Sequence, residues 1–193
     1  MSEVELSDSD FDVDLLDYLF SLRKYILVSA LVLFVSIILG FFLPDKLGFM
    51  VSDSANSFAG SPSITLFFTI LVNNFIALGL VILTGFLFGV LPLIVMALNG
   101  FMIGAVAYNV ASAGGLSNFL LGVFPHGVIE IPLTILVSAM GLRIGHDFVK
   151  RSEWIDQPVK ADFKASMEVF IWIVLPLMTV SAIIETYITT LLV

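Results

Sequence analysis

Residues 64–111 read ITLFFTILVNNFIALGLVILTGFLFGVLPLIVMALNGFMIGAVAYNVA, 48 residues without one Asp, Glu, Lys or Arg. As a single helix this stretch would be about 70 Å long, more than twice a ~30 Å hydrocarbon core. It therefore has to fold back on itself. The sequence offers one place to do so, Gly85-Phe-Leu-Phe-Gly89-Val-Leu-Pro92, where glycine and proline loosen a helix. That turn carries no charge, which suits a connection kept at membrane depth and buried against protein.

The uncharged run extends well beyond this stretch, from Ser54 to Ile129, and the whole chain is 59% hydrophobic and only 12% charged. Soluble domains carry roughly a quarter charged residues and need them to stay in water. The composition thus predicts an all-α, polytopic helical membrane protein in contact with the lipid bilayer. Met1 to Asp17 holds seven acids and no base, so it does not read as a secretory signal, which opens on positive charge. There is no cysteine, which excludes disulfide and thiol chemistry. A net charge of −8 argues against a nucleic-acid partner.

Two parts follow: an acidic amphipathic segment over 1–22 and a single transmembrane domain over 23–193. In the first, Phe11, Leu15, Leu16, Leu19 and Leu22 recur at helical spacing with Asp12, Asp14 and Asp17 between them. Such a helix lies on the membrane surface or packs on the protein's own cytoplasmic face. In the second, about five spans are expected, near 25–43, 64–84, 91–111, 116–142 or 125–145, and 169–191, with Pro176 kinking the last. The fourth is written two ways because Pro125 suits the first turn of a helix. A helix begun there makes one full crossing to Gly145 and leaves 116–124 as a re-entrant or broken segment. Basic residues set the orientation. Arg23, Lys24, Arg143, Lys150, Arg151, Lys160 and Lys164 fall on one side and only Lys46 on the other, which puts the N-terminus and the segment Arg143 to Glu168 in the cytoplasm.

Three GxxxG pairs, Gly85/Gly89, Gly100/Gly104 and Gly141/Gly145, let helix backbones approach closely. Packing within the chain is the default reading and a homo-oligomer the alternative. Against this apolar background six polar side chains stand out at membrane depth: Asn73, Asn74, Asn99, His126, Glu130 and Glu185. A charge at the centre of a bilayer costs ~2.5–3.5 kcal/mol or more, so each ionisable group needs a partner. Counted from the basic ends of their helices, Glu130 lies roughly 20 Å in and Glu185 roughly 22 Å in, so the two carboxylates share a depth. His126 is one turn from Glu130 on the same face.

Three uses of the cluster are open: a structural network, a proton or ion path, or a site for zinc or another divalent metal at His126, Glu130 and Glu185. A metal site wants three or four donors, and the other histidine, His146, falls at the far end. There is no HExxH pattern and no serine placed beside a base, so no catalytic residue is assigned and the reading is non-enzymatic.

The order Phe124-Pro-His-Gly-Val-Ile-Glu-Ile-Pro132, then Ala139-Met-Gly-Leu-Arg-Ile-Gly145, resembles the hallmark of the stage II sporulation protein M family. Asn73-Asn74, Leu98-Asn99-Gly100 with Gly104, and Ile184-Glu185-Thr-Tyr-Ile188 match the same pattern in order, so the resemblance covers about 20–190. It implies a multi-pass cell-membrane protein of bacteria or archaea with about five spans. It also implies that Asn73, Asn99, His126, Glu130 and Glu185 are the positions that define the family. In spore-forming bacteria the namesake recruits cell-wall hydrolases during engulfment; the reading of this chain as a scaffold or recruiter with membrane-protein partners comes from its lack of a catalytic constellation, its short loops and its small-residue faces. Many relatives occur in organisms that form no spores, where the role is uncharacterised. A channel or transporter lined by the His/Glu/Asn cluster is the alternative.

Overall fold

The computed structural model describes residues 15–43, 62–112, 115–150 and 157–192. Among the described residues there is no strand. The helices are α1 (Leu15–Ser21), α2 (Arg23–Phe42), α3 (Ile64–Thr84), α4 (Val90–Ser112), α5 (Leu116–Lys150), α6 (Gln157–Val169), α7 (Leu175–Ile183) and α8 (Thr190–Leu192). Two π-helical turns, Phe170–Val174 and Ile184–Thr189, join α6 to α7 and α7 to α8 in one continuous rod. Among the described residues five helices are long and apolar enough to cross a membrane: Arg23–Phe42, Ile64–Thr84, Val90–Ser112, Leu120–Lys150 and Val159–Leu192. The all-α membrane fold and its five spans are as the composition predicts. The polar stretch 44–61, the acidic residues 1–14, Phe11 included, and residues 151–156 fall outside the described residues.

The long apolar stretch turns back at 85–89. The turn is tight: the Gly89 N–H donates to the Gly85 carbonyl at 3.0 Å, and Phe88 and Gly89 take φ of 60° and 70°. Glycine adopts that conformation freely, whereas Phe88 carries strain of about 1–3 kcal/mol. Pro92 then sits in the first turn of α4, where its missing N–H has no helical partner to lose.

The glycines explain why so strained a turn persists. A Cβ on Gly85 would meet the Gly141 carbonyl, and one on Gly145 would overlap the backbone of Gly89 and Gly85. Two of the GxxxG pairs therefore face each other, with the α3–α4 turn lying directly on α5. The third pair, Gly100/Gly104, lies against α2 at Leu33 and Ile37, and Gly40 of α2 answers it against Phe101. All three pairs are occupied inside the chain. With no water between helices in lipid, such close backbone contact supplies much of the association. α5 is the hub, touching α2, α3, α4, α6, α7 and the second π-turn.

Of the two expected forms of the fourth span, α5 takes the one begun at Leu116. It is one 35-residue helix that runs through both Pro125 and Pro132, so no re-entrant piece precedes Pro125 and no break falls at Phe124-Pro125. Each proline removes one i→i−4 bond. Ending the helix there would orphan several backbone groups at membrane depth, which costs more in lipid than one lost bond. At about 52 Å the helix also exceeds a ~30 Å core, so its ends project beyond it. The segment Arg143 to Glu168, expected as a loop, is helical at Arg143–Lys150 and from Gln157 onward. In the last span a π-turn directly precedes Pro176, and there the Leu175 N–H donates to the Phe170 carbonyl.

At the basic end of the bundle α1 folds back onto α6. Tyr18 is 1% exposed, its hydroxyl lies 2.6 Å from Ser166 Oγ, and the Arg143 guanidinium stacks on its ring at 4.9 Å. Arg143 also pairs with the buried Asp162 at 2.7 Å, tying α5 to α6. Of the two readings of the amphipathic helix, its inner face takes the packed one. Its outer face leaves Phe20 74% exposed.

Two outcomes follow for thermal unfolding in detergent. Gly145→Ala forces a methyl group into backbone and should cost about 1–3 kcal/mol or more, whereas Gly79→Ala, whose Cβ meets only the Phe170 ring edge at 3.9 Å, should be neutral or stabilising by up to ~1 kcal/mol. Burial pushes the Tyr18 phenol up to about 12 from an ordinary value of 10.0. A raised phenol contributes stability below pH 10 that is lost as pH climbs to about 12, here roughly 3 kcal/mol. Tyr18→Phe should therefore lose less stability than the parent across that window.

Candidate functional site

The polar residues of α5 are set by simple helical spacing. His126 and Glu130 are four apart and share a face, and Pro125 and Pro132 bracket them. Across from them stands the second π-turn. Ser181 of α7 and Glu185 and Thr189 of the turn recur every four residues, a spacing that drifts about 40° per step around an ideal helix. The wider π-turn counters that drift and keeps the three side chains toward one neighbour.

The neighbour is α5. Thr189 Oγ1 lies 3.3 Å from His126 Nδ1, and the Ser181 hydroxyl donates to the His126 carbonyl at 3.3 Å. Between these two contacts Glu185 meets His126 and Glu130: one ligand atom from each of the three lies within 4.8 Å of the others. All three side chains are half-buried. A cavity of about 300 Å³ opens beside them, with Asn99, His126, Glu130 and Thr134 as its polar wall and Leu33, Met102 and Ile103 among its apolar residues.

The six singled-out residues thus separate. Asn99, His126 and Glu130 surround the cavity, and Glu185 joins His126 and Glu130 from the last helix. Asn73 and Asn74 of α3 do not line it; Asn73 is exposed and Asn74 half-buried. His146, twenty residues along α5 from His126 and so about 30 Å away, is held by the Tyr25 hydroxyl at 2.9 Å and by Asp147 at 3.0 Å. It takes no part in the site. Ser181, Thr189 and Thr134 belong to the site and were not singled out in the sequence. The four-residue rhythm of Ser181, Glu185 and Thr189 was the available signal.

Chemically the site offers one imidazole and two carboxylates. Among the described residues the ion pairs lie at the basic end, Arg143 with Asp162 and His146 with Asp147, and no lysine or arginine accompanies the cluster on α5 before Arg143 or on the last helix after Lys164. Two carboxylates this close at membrane depth need a counter-charge, from protons or from a cation. A family model described as stage II sporulation protein M matches residues 29–190, a range that holds every residue of the site. No curated protein and no solved structure matches the chain.

Proposed function

The chain belongs to the stage II sporulation protein M family, and on that premise we propose that it is a non-enzymatic, multi-pass scaffold for membrane proteins, held in register by its intramembrane polar cluster. One observation carries the reading: His126, Glu130 and Glu185 bring their donors within 4.8 Å across two helices. Apolar faces slide past one another in lipid with little preference, because lipid tails are as apolar as the side chains. Interhelical polar contacts fix register and depth instead. The cluster joins the hub helix to the last span, while the glycine contacts lock the α3–α4 turn to the same hub and α2 to α4. The result is a rigid block whose apolar outer wall is available to lipid and to partner helices. Since the GxxxG pairs are occupied internally, a homo-oligomer would have to form through another face.

A second reading, a proton or ion path, is favoured by the cavity against His126 and Glu130. Both readings place the chain in a prokaryotic cell membrane with the N-terminus and the basic end of the bundle in the cytoplasm. The chain has no cysteine of its own, so single cysteines at 24 and 160 should both label from the cytoplasmic side in oriented vesicles.

Glu130→Gln and Glu185→Gln separate the two readings. For a scaffold tie, the double variant should unfold about 1–3 kcal/mol more easily in detergent, and liposomes holding the parent protein should show no ion flux. Parent flux that disappears in Glu130→Gln at unchanged stability would overturn the scaffold in favour of the path.

A further inference from the structure

We infer that the tie between α5 and the last helix is a divalent transition-metal site, with His126, Glu130 and Glu185 as its protein ligands. The inference rests on reading the cluster as an interhelical tie and names what holds it together.

The geometry supplies three donors from two helices. Around a zinc-like ion at 2.0–2.2 Å, tetrahedral donors sit about 3.4 Å apart. The present spread, within 4.8 Å, closes to that by small rotations of the two long glutamate side chains. His126 and Glu130, four apart on one face, form the usual two-ligand platform of a helix, and Glu185 completes it from the neighbouring rod.

The imidazole is supported as a ligand should be. Thr189 contacts Nδ1, which orients the ring and leaves Nε2 for coordination, and Ser181 steadies the same residue through its carbonyl. Charge points the same way. Two carboxylates without a neighbouring lysine or arginine on their helical stretches are neutralised by one divalent cation, and that cation then links the two helices directly. Next to Glu185, in the same π-turn, Thr186 Oγ1 is buried without a hydrogen-bond partner among the described residues, so the turn has polar capacity that its packing leaves unused.

The donor set also selects the metal. One nitrogen and two oxygens suit Zn²⁺ or Mn²⁺. Ca²⁺ and Mg²⁺ prefer oxygen shells of six or more, and no cysteine is present for soft thiophilic metals. Three protein ligands leave a coordination position free, and the cavity beside His126 and Glu130 has room there for water or a ligand oxygen.

The test uses the full chain in detergent, stripped with EDTA, dialysed, and reloaded separately with Zn²⁺, Mn²⁺, Mg²⁺ and Ca²⁺. Elemental analysis should give about one equivalent of Zn²⁺ or Mn²⁺ per chain, with a raised melting temperature, and no comparable retention of Mg²⁺ or Ca²⁺. Glu130→Gln, which preserves side-chain volume, and His126→Ala should both lose the metal. Thr189→Val should keep it with roughly 10–100-fold weaker affinity, and His146→Ala should bind as the parent does. Two results overturn the inference: a folded parent that retains under a tenth of an equivalent and shows no thermal shift at saturating metal, or binding that survives both Glu130→Gln and His126→Ala. In the first case, loss of stability in Glu130→Gln with Glu185→Gln would still uphold the tie as a proton-held network. No such loss would mean that the tie itself is wrong.

Discussion

Backbone-on-backbone contact between the Gly85–Gly89 turn and Gly141–Gly145 of α5 fixes where the rest of the bundle can lie. Neither side has room for a Cβ, so the α3–α4 connection is seated on α5 at one height and at one rotation. That seating brings both α3 and α4 against the hub, and it explains why Phe88 tolerates a positive φ. A relaxed turn would lift the glycines apart and forfeit the van der Waals contact that replaces the hydrophobic effect in lipid. The second glycine contact, Gly100 and Gly104 on α2, sets the distance between α2 and α4. The cavity is lined by Leu33 of α2 and by Asn99, Met102 and Ile103 of α4, so it is bounded by helices held at fixed spacing.

The same solvent inverts the usual distribution of polar groups. Large apolar residues such as Leu31, Phe68, Ile76 and Trp172 face outward, while Ser29, Ser36, Ser138, Ser181, Thr186 and Thr189 are buried. Small hydroxyls suit such positions because they can satisfy themselves on helix carbonyls or on each other, as Ser29 does on Ser138 at 3.2 Å. An ionised glutamate cannot do this. Its two acceptor oxygens need donors or a cation, so Glu130 and Glu185 impose a demand on the interior that no apolar rearrangement can meet. Arg143 and Asp162 answer each other's charge at 2.7 Å at the end of the bundle.

Much of this was legible in residues 64–111 and in two carboxylate positions. Absence of charge dictated spans, length dictated a turn, and Gly85 to Pro92 marked it. Counting rise per residue from Arg143 and Phe170 put Glu130 and Glu185 at one depth, and they do meet. The count did not depend on which of the two expected starts the fourth helix took, because depth was measured from the basic end. What stayed hidden was long-range or cumulative. Proline reads as a boundary in water, where an ended helix can be solvated; in lipid the remaining backbone bonds outweigh the one lost, and α5 passes through. Whether α1 would rest on lipid or protein was undetermined because Ser166, the partner of Tyr18, lies 148 residues away. Asn73 and Asn74 looked equivalent to Asn99 from depth alone, and only helix rotation separates them.

Departures from a regular helix concentrate where the polar groups are. Pro125 and Pro132 bracket His126 and Glu130, and a π-turn carries Glu185 and Thr189. Each departure weakens its own helix, and a bundle that needed only to span the membrane would gain from straight α-helices there. The other two irregular places have separate explanations, the strained turn at Phe88 in its glycine seat and the Phe170–Val174 turn in Pro176. The site has no such local excuse. Local rules broken at one depth, on two helices distant in sequence, are what a chain shows when geometry at that point matters more than helix stability. The irregularities of α5 and of the last rod are therefore best understood together, as the cost of bringing one imidazole and two carboxylates to a common point.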